Sequence, residues 1–223
     1  MIIIPSKEVV IITPPKTAST SLLTALKEKY PDLVHPHRHM EVDGLPQEYK
    51  HFKKYGIMRD PIYRLLSLYN FLHEFNTQDP NKWDGHGAKL VESITGRTFS
   101  EWVLENDYPF TQPFDDDGNY IAKYDVLHMK PEQMKSQFEY FRPDLCDIEI
   151  VLFQDVSRFA KKVFDVDLPH LRKSTQGLSQ PHLTKEAYIH LYEYLKWDIE
   201  FFGAVLYNSG LTGLKYVGRC SRY

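Results

Sequence analysis

Short apolar runs alternate with longer segments of helical periodicity along this chain. The apolar runs predict strands at residues 9–12, 55–59, 124–128 and 148–153. The helical periodicity predicts a helix after the hydroxyl-rich loop that ends at residue 21, a helix after a turn at residues 60–61, and helices at 131–141, 156–164 and 184–202. Strands in alternation with helices are typical of a parallel sheet with helical crossovers. The pattern therefore predicts an α/β fold with a central, mainly parallel sheet flanked by helices in three layers.

The length and composition of the chain bound its domain organisation. With 223 residues, of which 42% are hydrophobic, the chain can bury one sizeable core. We therefore expect a single domain over residues 1–207 and a tail over residues 208–223 that contains several Gly and Ser residues. The polar stretch 77–117 has only a short helical pattern at 99–106, and long loops in compact domains often carry function. We expect this stretch to be an insertion or lid that binds a substrate.

Charge, cysteine content and hydropathy exclude several classes of protein. The formal net charge of -3 argues against a dedicated nucleic-acid binder, which carries a basic excess. Cys146 and Cys220 are far apart and lack ligand-like spacing, so neither a disulfide framework nor a zinc ribbon is predicted. The apolar start at residues 1–5 is too short for a signal peptide, and no apolar stretch is long enough to cross a bilayer. We expect a soluble, cytoplasmic protein of undetermined oligomeric state.

The loop after the first strand pattern combines one lysine with several hydroxyl groups. Because it leads from a strand into a helix, unpaired N–H groups and the positive end of the helix dipole point at one place. Lys16 adds a full charge there, and four residues can donate hydroxyl hydrogen bonds without a metal: Thr17, Ser19, Thr20 and Ser21. The loop is predicted to bind a phosphate or sulfate group. The alternative is a plain helix N-cap in which one Ser or Thr satisfies the first turn and Lys16 is solvated.

This loop differs from the loop of a nucleotide triphosphatase. That pattern places its lysine at the far end of a glycine-rich stretch, directly before the Ser or Thr that binds Mg²⁺. Here Lys16 opens the loop, and no glycine follows it within the loop. The sequence therefore favours an anion-binding protein that is not a nucleotide triphosphatase. A P-loop small-molecule kinase and a non-catalytic nucleotide-binding module are the alternatives.

A second basic motif begins at the end of the strand pattern at 55–59. Arg59, Asp60 and Pro61 stand at the end of the strand, and Ser67 lies on the following helix. A guanidinium at a strand end can bind a phosphate through two hydrogen bonds, and a hydroxyl adds a further donor. The alternative is an arginine that pairs with Asp60 while Ser67 faces a neighbouring turn.

Together, the two motifs resemble those of the sulfotransferase family. In that family, a loop of the form Pro-Lys-Thr-Gly-(Ser/Thr)-(Thr/Ser) binds the 5′-phosphosulfate of 3′-phosphoadenosine-5′-phosphosulfate (PAPS). A later Arg-Asp-Pro motif, with Ser eight positions after its Arg, binds the 3′-phosphate. This chain matches the first motif with Pro15, Lys16, Thr17, Ala18, Ser19 and Thr20, where Ala18 replaces the usual glycine. It matches the second motif with Arg59, Asp60, Pro61 and Ser67.

The resemblance implies a P-loop-like fold and a PAPS-dependent sulfotransferase. PAPS would be the co-substrate and 3′-phosphoadenosine-5′-phosphate (PAP) the product, with no metal required. The acceptor favoured by the resemblance is a hydroxyl group on a carbohydrate. Lys16 would also be catalytic, because it neutralises the leaving PAP. The remaining residues would bind the co-substrate: Thr17, Ala18, Ser19, Thr20, Ser21, Arg59 and Ser67.

A third stretch, residues 168–177, looks like two different elements of this family. One is the Leu-Pro-His-x-Asn-x-Ser stretch of carbohydrate sulfotransferases, and the other is the Arg-Lys-Gly-x-x-Gly element of cytosolic relatives. The two alignments exclude each other. In either alignment Arg172, Lys173 and Ser174 offer donors to the anion of PAPS, and a basic surface turn is the alternative.

Three histidines, His35, His37 and His39, lie at alternate positions between the two main motifs. In an extended segment their side chains project to one side. Three interpretations of these histidines compete: one of them is a catalytic base, together they bind Zn²⁺ or Fe²⁺, or they lie in a solvated loop. We favour the base, because imidazole suits proton removal near neutral pH and some carbohydrate sulfotransferases have a similar His-x-His element. His37 is the first choice and His35 the second, while His39, Glu41 and Asp43 stay open as alternatives, and no metal is predicted.

Overall fold

The computed structural model describes residues 1–36, 39–78, 94–105, 110–111, 134–169 and 183–212. Its strands are β1 (Ile2–Ile4), β2 (Val9–Ile12), β3 (Lys53–Met58), β4 (Phe110–Thr111), β5 (Met134–Lys135) and β6 (Glu149–Leu152). Its helices are α1 (Ser19–Lys29), α2 (Pro61–Gln78), α3 (Phe99–Glu105), α4 (Gln137–Phe141), α5 (Val156–Phe164), α6 (Lys185–Tyr194) and α7 (Lys196–Thr212).

The described residues divide into two compact units. The first unit contains those of Met1–Asp60, Gln137–Leu171 and Glu200–Tyr223. The second unit contains those of Pro61–Ser136 and Arg172–Ile199. The loop that carries Lys16, residues 13–18 between β2 and α1, is called the lysine loop below. This loop, Arg59, His35 and His39 belong to the first unit, whereas Ser67 belongs to the second.

The first unit contains a four-stranded sheet in the order β1-β2-β3-β6. β1 pairs antiparallel with β2, whereas β2, β3 and β6 run parallel, with Ile12 opposite Gly56 and Met58 opposite Leu152. β1 and β2 consist of buried β-branched residues, which suit a sheet covered on both faces. The fold is therefore α/β with a mostly parallel sheet flanked by helices, which confirms that part of the prediction.

Helices pack on both faces of this sheet. One face shares a core with α1 and α5, built from residues such as Ile11, Leu22 and Phe159. On the other face, the ring of Phe141 in α4 lies directly against Gly56. A Cβ atom at Gly56 would be 2.8 Å from that ring, so only glycine allows this close approach.

The second unit has its own apolar core, formed by α2, α3 and α6. Its buried members include Leu65, Leu68, Leu72, Phe99, Trp102, Val103, Ala187 and Leu191. The start of α3 is stabilised by a capping box, in which the Thr98 N–H donates to Glu101 Oε2 at 2.7 Å and the Glu101 N–H donates to Thr98 Oγ1 at 3.3 Å. β4 and β5 pair in parallel in this unit.

An ion pair lies inside the second unit. Arg64 Nη1 is 3.7 Å from Asp198 Oδ2, and the two side chains are 0% and 1% exposed. A buried charge is costly unless it is paired, so each of these residues depends on the other for its stability in the core.

Several predicted elements are confirmed and two are wrong. β2, β3, β6 and α5 lie where the strands at 9–12, 55–59 and 148–153 and the helix at 156–164 were expected, although β3 ends at Met58, one residue before Arg59. The single helix predicted at 184–202 is wrong, because the backbone of Leu195 leaves the helical conformation and separates α6 from α7. The helix predicted at 131–141 is wrong at Met134 and Lys135, which form β5 and pair with β4, and it is helical at Gln137–Phe141, whereas residues 131–133 lie outside the described ranges. The strand predicted at 124–128 lies outside the described residues.

The boundaries of the predicted lid and tail fall within or beside helices. α2 continues to Gln78, and α3 lies inside the polar stretch 77–117, of which most other residues lie outside the described ranges. α7 continues to Thr212, so residues 208–212 of the predicted tail are helical. Within the described ranges, no helix has the length and apolar character that a membrane span needs.

Candidate anion-binding site

The candidate site lies at the carboxyl edge of the parallel strands. β2, β3 and β6 run in the same direction, so their last residues lie along one edge of the sheet. Thr13, Arg59 and Phe153 directly follow these strands. Ligands of open α/β sheets bind outside this edge, and the two main sequence motifs therefore converge where a ligand is expected.

The lysine loop has an unusual backbone conformation. Lys16 has φ 69° and Ala18 has φ 66°, both in the left-handed region that L-residues rarely adopt. Between them, Thr17 is fully buried, and its Oγ1 donates to the carbonyl oxygen of Pro14 at 2.7 Å. The hydroxyl proton of Thr17 therefore holds the loop together, and the N–H of Thr17 is its remaining donor for an anion.

The start of α1 is not capped by a Ser or Thr side chain. The N-cap residue is Ala18, which has no side-chain oxygen. Ser19, Thr20 and Ser21 form the first turn and are half-buried. An anion is the natural complement of N–H groups at a helix start that lacks a side-chain cap. The conformation therefore favours the anion-binding interpretation of the loop over a plain Ser or Thr N-cap.

Arg59 joins the two motifs. Its side chain is nearly buried, at 7% exposure, and its Nη1 donates to the carbonyl oxygen of Lys16 at 3.1 Å. The guanidinium also lies over the ring of Phe153, 4.4 Å from the ring centroid, which is a favourable cation–π arrangement. The sequence predicted that Lys16 and Arg59 act on one ligand, and the structure brings the guanidinium into direct contact with the lysine loop.

Gln137, which none of the sequence motifs indicates, binds the backbone of Arg59. The Arg59 N–H donates to Gln137 Oε1 at 2.9 Å, and Gln137 Nε2 donates to the Arg59 carbonyl at 2.7 Å. Gln137 is 0% exposed and begins α4. A glutamine 78 positions away carries no motif in the sequence, so only the fold reveals this contact.

His39 contacts the first residue of the lysine loop. His39 Nδ1 lies 3.0 Å from the carbonyl oxygen of Thr13, the first residue after β2. Because a carbonyl oxygen only accepts, Nδ1 carries the proton, and Nε2 of the neutral ring then bears the lone pair. The Thr13 hydroxyl is also notable, because its Oγ1 is buried with no hydrogen-bond partner among the described residues. A buried hydroxyl of this kind is a candidate partner for a ligand or water atom.

The rest of the histidine segment is not a regular strand where it is described. Val34 pairs with Ile3 through an isolated bridge, and the chain then bends at Pro36. His35 is half-buried beside this bridge, and His37 lies outside the described residues. The choice of His37 and His35 as bases therefore stays a prediction.

The two nearby carboxylates have different surroundings. Glu41 is buried, at 4% exposure. Asp43 accepts a hydrogen bond from Arg142 Nη1 at 3.2 Å, and Arg142 also binds Asp144 through Nε and Nη2 at 3.0 and 2.9 Å. Asp43 is thus part of an ion-pair cluster, which makes it a weaker candidate for a base than the sequence indicated.

The other predicted site residues lie in the second unit or outside the described residues. Ser67 is half-buried in α2 of the second unit. Arg172, Lys173 and Ser174 lie outside the described residues, so their proposed contacts with PAPS stay predictions. In the part of the chain that the structure describes, no three His, Cys, Asp or Glu side chains are grouped as metal ligands.

Comparisons of this chain with protein-family profiles, with curated proteins and with solved structures find no match. The function is therefore inferred from the residues of the site and their resemblance to sulfotransferase motifs.

Proposed function

We propose that this protein is a sulfotransferase that moves a sulfuryl group from PAPS to an acceptor hydroxyl group. The observation that carries the proposal is the 3.1 Å hydrogen bond from Arg59 Nη1 to the Lys16 carbonyl, because it joins two motifs that are 43 positions apart. The guanidinium of Arg59 thereby contacts the loop that carries Lys16 and leads into α1. A ligand with anionic groups at both ends, such as PAPS, suits such a pair.

The proposed reaction is an in-line displacement at sulfur. The acceptor oxygen forms a bond to sulfur while the bond from sulfur to the bridging phosphate oxygen breaks, and PAP leaves with the electron pair. Lys16 and the N–H groups at the start of α1 stabilise the negative charge that develops on PAP. The acceptor proton passes to a base of the protein.

His39 is the histidine best supported as that base. The Thr13 carbonyl holds the proton on Nδ1, which leaves Nε2 as the basic nitrogen of the neutral ring. A base whose tautomer is fixed by a backbone carbonyl is ready to accept a proton without rearrangement. His37 and His35 remain the candidates from the sequence, and substitution of each histidine in turn separates the three.

Calorimetric titration with PAP and, separately, with ATP and Mg²⁺ tests the choice of donor. We expect binding of PAP, whereas a small-molecule kinase would bind ATP with Mg²⁺ instead. Lys16→Ala should weaken PAP binding and abolish sulfuryl transfer without unfolding the protein. Lys27→Ala, which removes an exposed lysine from α1, the helix after the loop, is the matched control and should bind PAP as the wild type does. Normal transfer by Lys16→Ala would contradict the proposed role of Lys16.

A sulfate-transfer assay with labelled PAPS tests the acceptor. We propose a carbohydrate hydroxyl, on the basis of the motif resemblance, and a panel of sugars, phenols and lipids compares it with other hydroxyl groups. If sulfate is transferred only to phenols or lipids, the acceptor is not a carbohydrate and that part of the proposal is wrong. Binding of PAP without transfer to any acceptor would favour a non-catalytic nucleotide-binding module.

A further inference from the structure

The backbone of Arg59 lies just beyond the end of the sheet. The ladder between β3 and β6 has its last pair at Met58 and Leu152, so Arg59 has no strand neighbour there. Arg59 is nonetheless buried, and buried backbone N–H and C=O groups must be paired. Another part of the molecule therefore has to supply one acceptor and one donor at this position.

The side-chain amide of Gln137 supplies both groups. Its Oε1 accepts from the Arg59 N–H at 2.9 Å, and its Nε2 donates to the Arg59 carbonyl at 2.7 Å. The amide thus takes the place of a neighbouring strand for one residue. Because Gln137 is 0% exposed, water does not compete for these two hydrogen bonds.

The two hydrogen bonds fix the direction in which the Arg59 side chain leaves the backbone. They hold the peptide groups on both sides of the Arg59 Cα. The guanidinium packs over the ring of Phe153, and its Nη1 donates a hydrogen bond to the Lys16 carbonyl. Every part of Arg59, from its backbone to its tip, is therefore held in one arrangement. A charged group that binds an anion gains affinity from such preorganisation, because less freedom is lost on binding.

We propose that Gln137 is a positioning residue of the anion site: its amide sets the backbone of Arg59 so that the guanidinium meets the lysine loop. The nature of the anion, PAP or PAPS, rests on the proposed function. The positioning itself requires only that Arg59 contributes to anion binding.

A double-mutant cycle with calorimetric titration of PAP tests this role. Gln137→Met has a side chain of similar volume without hydrogen-bonding groups, and we expect it to bind PAP roughly ten- to hundredfold more weakly than the wild type. In the Arg59→Ala background, the same substitution should cause no further loss of PAP affinity, although it should still lower the melting temperature. A purely structural role would instead give the same loss of affinity in both backgrounds.

Phe138→Leu is the matched control from the same helix. Phe138 packs against Phe201, with ring centroids 5.4 Å apart. It should lower the melting temperature and leave the PAP affinity unchanged. Weaker PAP binding in this control, comparable with that of Gln137→Met, would overturn the specific role of Gln137.

A second variant serves if Gln137→Met does not fold. In Gln137→Glu, a protonated carboxyl group can both accept from the Arg59 N–H and donate to its carbonyl, whereas the ionised form cannot donate. PAP affinity relative to the wild type should therefore be restored at acidic pH. An affinity that stays low at every pH would overturn the proposal.

The failure of this proposal can be told apart from the failure of the proposed function. If the wild type binds inorganic sulfate but not PAP, the sulfotransferase proposal falls, and the same cycle measured with sulfate still decides the role of Gln137. If the wild type binds PAP and the cycle is additive, only the positioning role falls. If neither probe binds, the anion site is absent and both proposals are wrong.

Discussion

Replacement of Ala18 by glycine tests the conformation of the lysine loop directly. Ala18 has φ 66°, and this left-handed conformation costs an L-residue about 1–2 kcal/mol. Glycine removes that cost, but it also makes the unfolded chain more flexible, which costs about 0.5–1 kcal/mol. We therefore expect Ala18→Gly to leave the free energy of unfolding unchanged or to raise it by up to about 1 kcal/mol.

Ala25→Gly is the matched control in the same helix. Both alanines are half-buried, and both methyl groups pack against the same core of the first unit. Ala25 lies inside α1, so its replacement by glycine should lower the free energy of unfolding by about 1 kcal/mol. Because the lost methyl group and the gain in chain flexibility are alike in the two variants, their difference measures the strain at Ala18, about 1–2 kcal/mol.

Urea unfolding, followed by far-ultraviolet circular dichroism, measures both variants. Their unfolding transitions are comparable because both positions lie in the first unit. For a chain of this length, the expected difference corresponds to about 2–8 °C in melting temperature. If the two substitutions lower the free energy of unfolding equally, Ala18 does not hold the left-handed conformation, and the interpretation of the loop is wrong.

Three further predictions concern the sheet, the cysteine and the base. Gly56→Ala should lower the free energy of unfolding by about 1–3 kcal/mol, since its Cβ would be 2.8 Å from the Phe141 ring, and chemical denaturation checks this. Burial raises the pKa of the Cys146 thiol. In a Cys220→Ser variant, Cys146 should therefore react with iodoacetamide more slowly than free cysteine near neutral pH, and its reaction rate should rise with pH. A reaction rate equal to that of free cysteine would contradict the burial of Cys146. His39→Asn keeps a donor for the Thr13 carbonyl but loses the basic ring nitrogen. It should therefore reduce the rate of sulfuryl transfer about 10²–10⁴-fold without loss of PAP binding. An unchanged transfer rate would exclude His39 as the base.

The sheet of the first unit was largely predictable, and the reason lies in its local pattern. The strands at Val9–Ile12 and Glu149–Leu152 are short runs rich in β-branched residues, and such runs are recognised without knowledge of the fold. The errors arose where tertiary contacts override local preference. Met134 and Lys135 have a helical pattern around them but pair with β4, and the break at Leu195 interrupts a continuous helical periodicity.

The candidate site was predictable only in its motif residues. Lys16 and Arg59 stand out because their charges occur at the ends of strand patterns, and the structure brings them together. Gln137 and the carbonyl of Thr13 act through hydrogen bonds between distant segments, which no spacing in the sequence indicates. The left-handed backbone at Ala18 was equally hidden, because alanine is a residue type that usually favours a helix.

The buried contact between Arg64 and Asp198 restricts how this chain can change over generations. Replacement of either partner alone would break this ion pair while the other charged group stays in the core, and breaking a buried ion pair costs about 3–5 kcal/mol, which is comparable with the whole stability of many domains. Two apolar side chains of matching volume would be tolerated in their place, but each single substitution on that route passes through the defective intermediate. In a set of natural variants, these two positions should therefore be either both charged or both apolar.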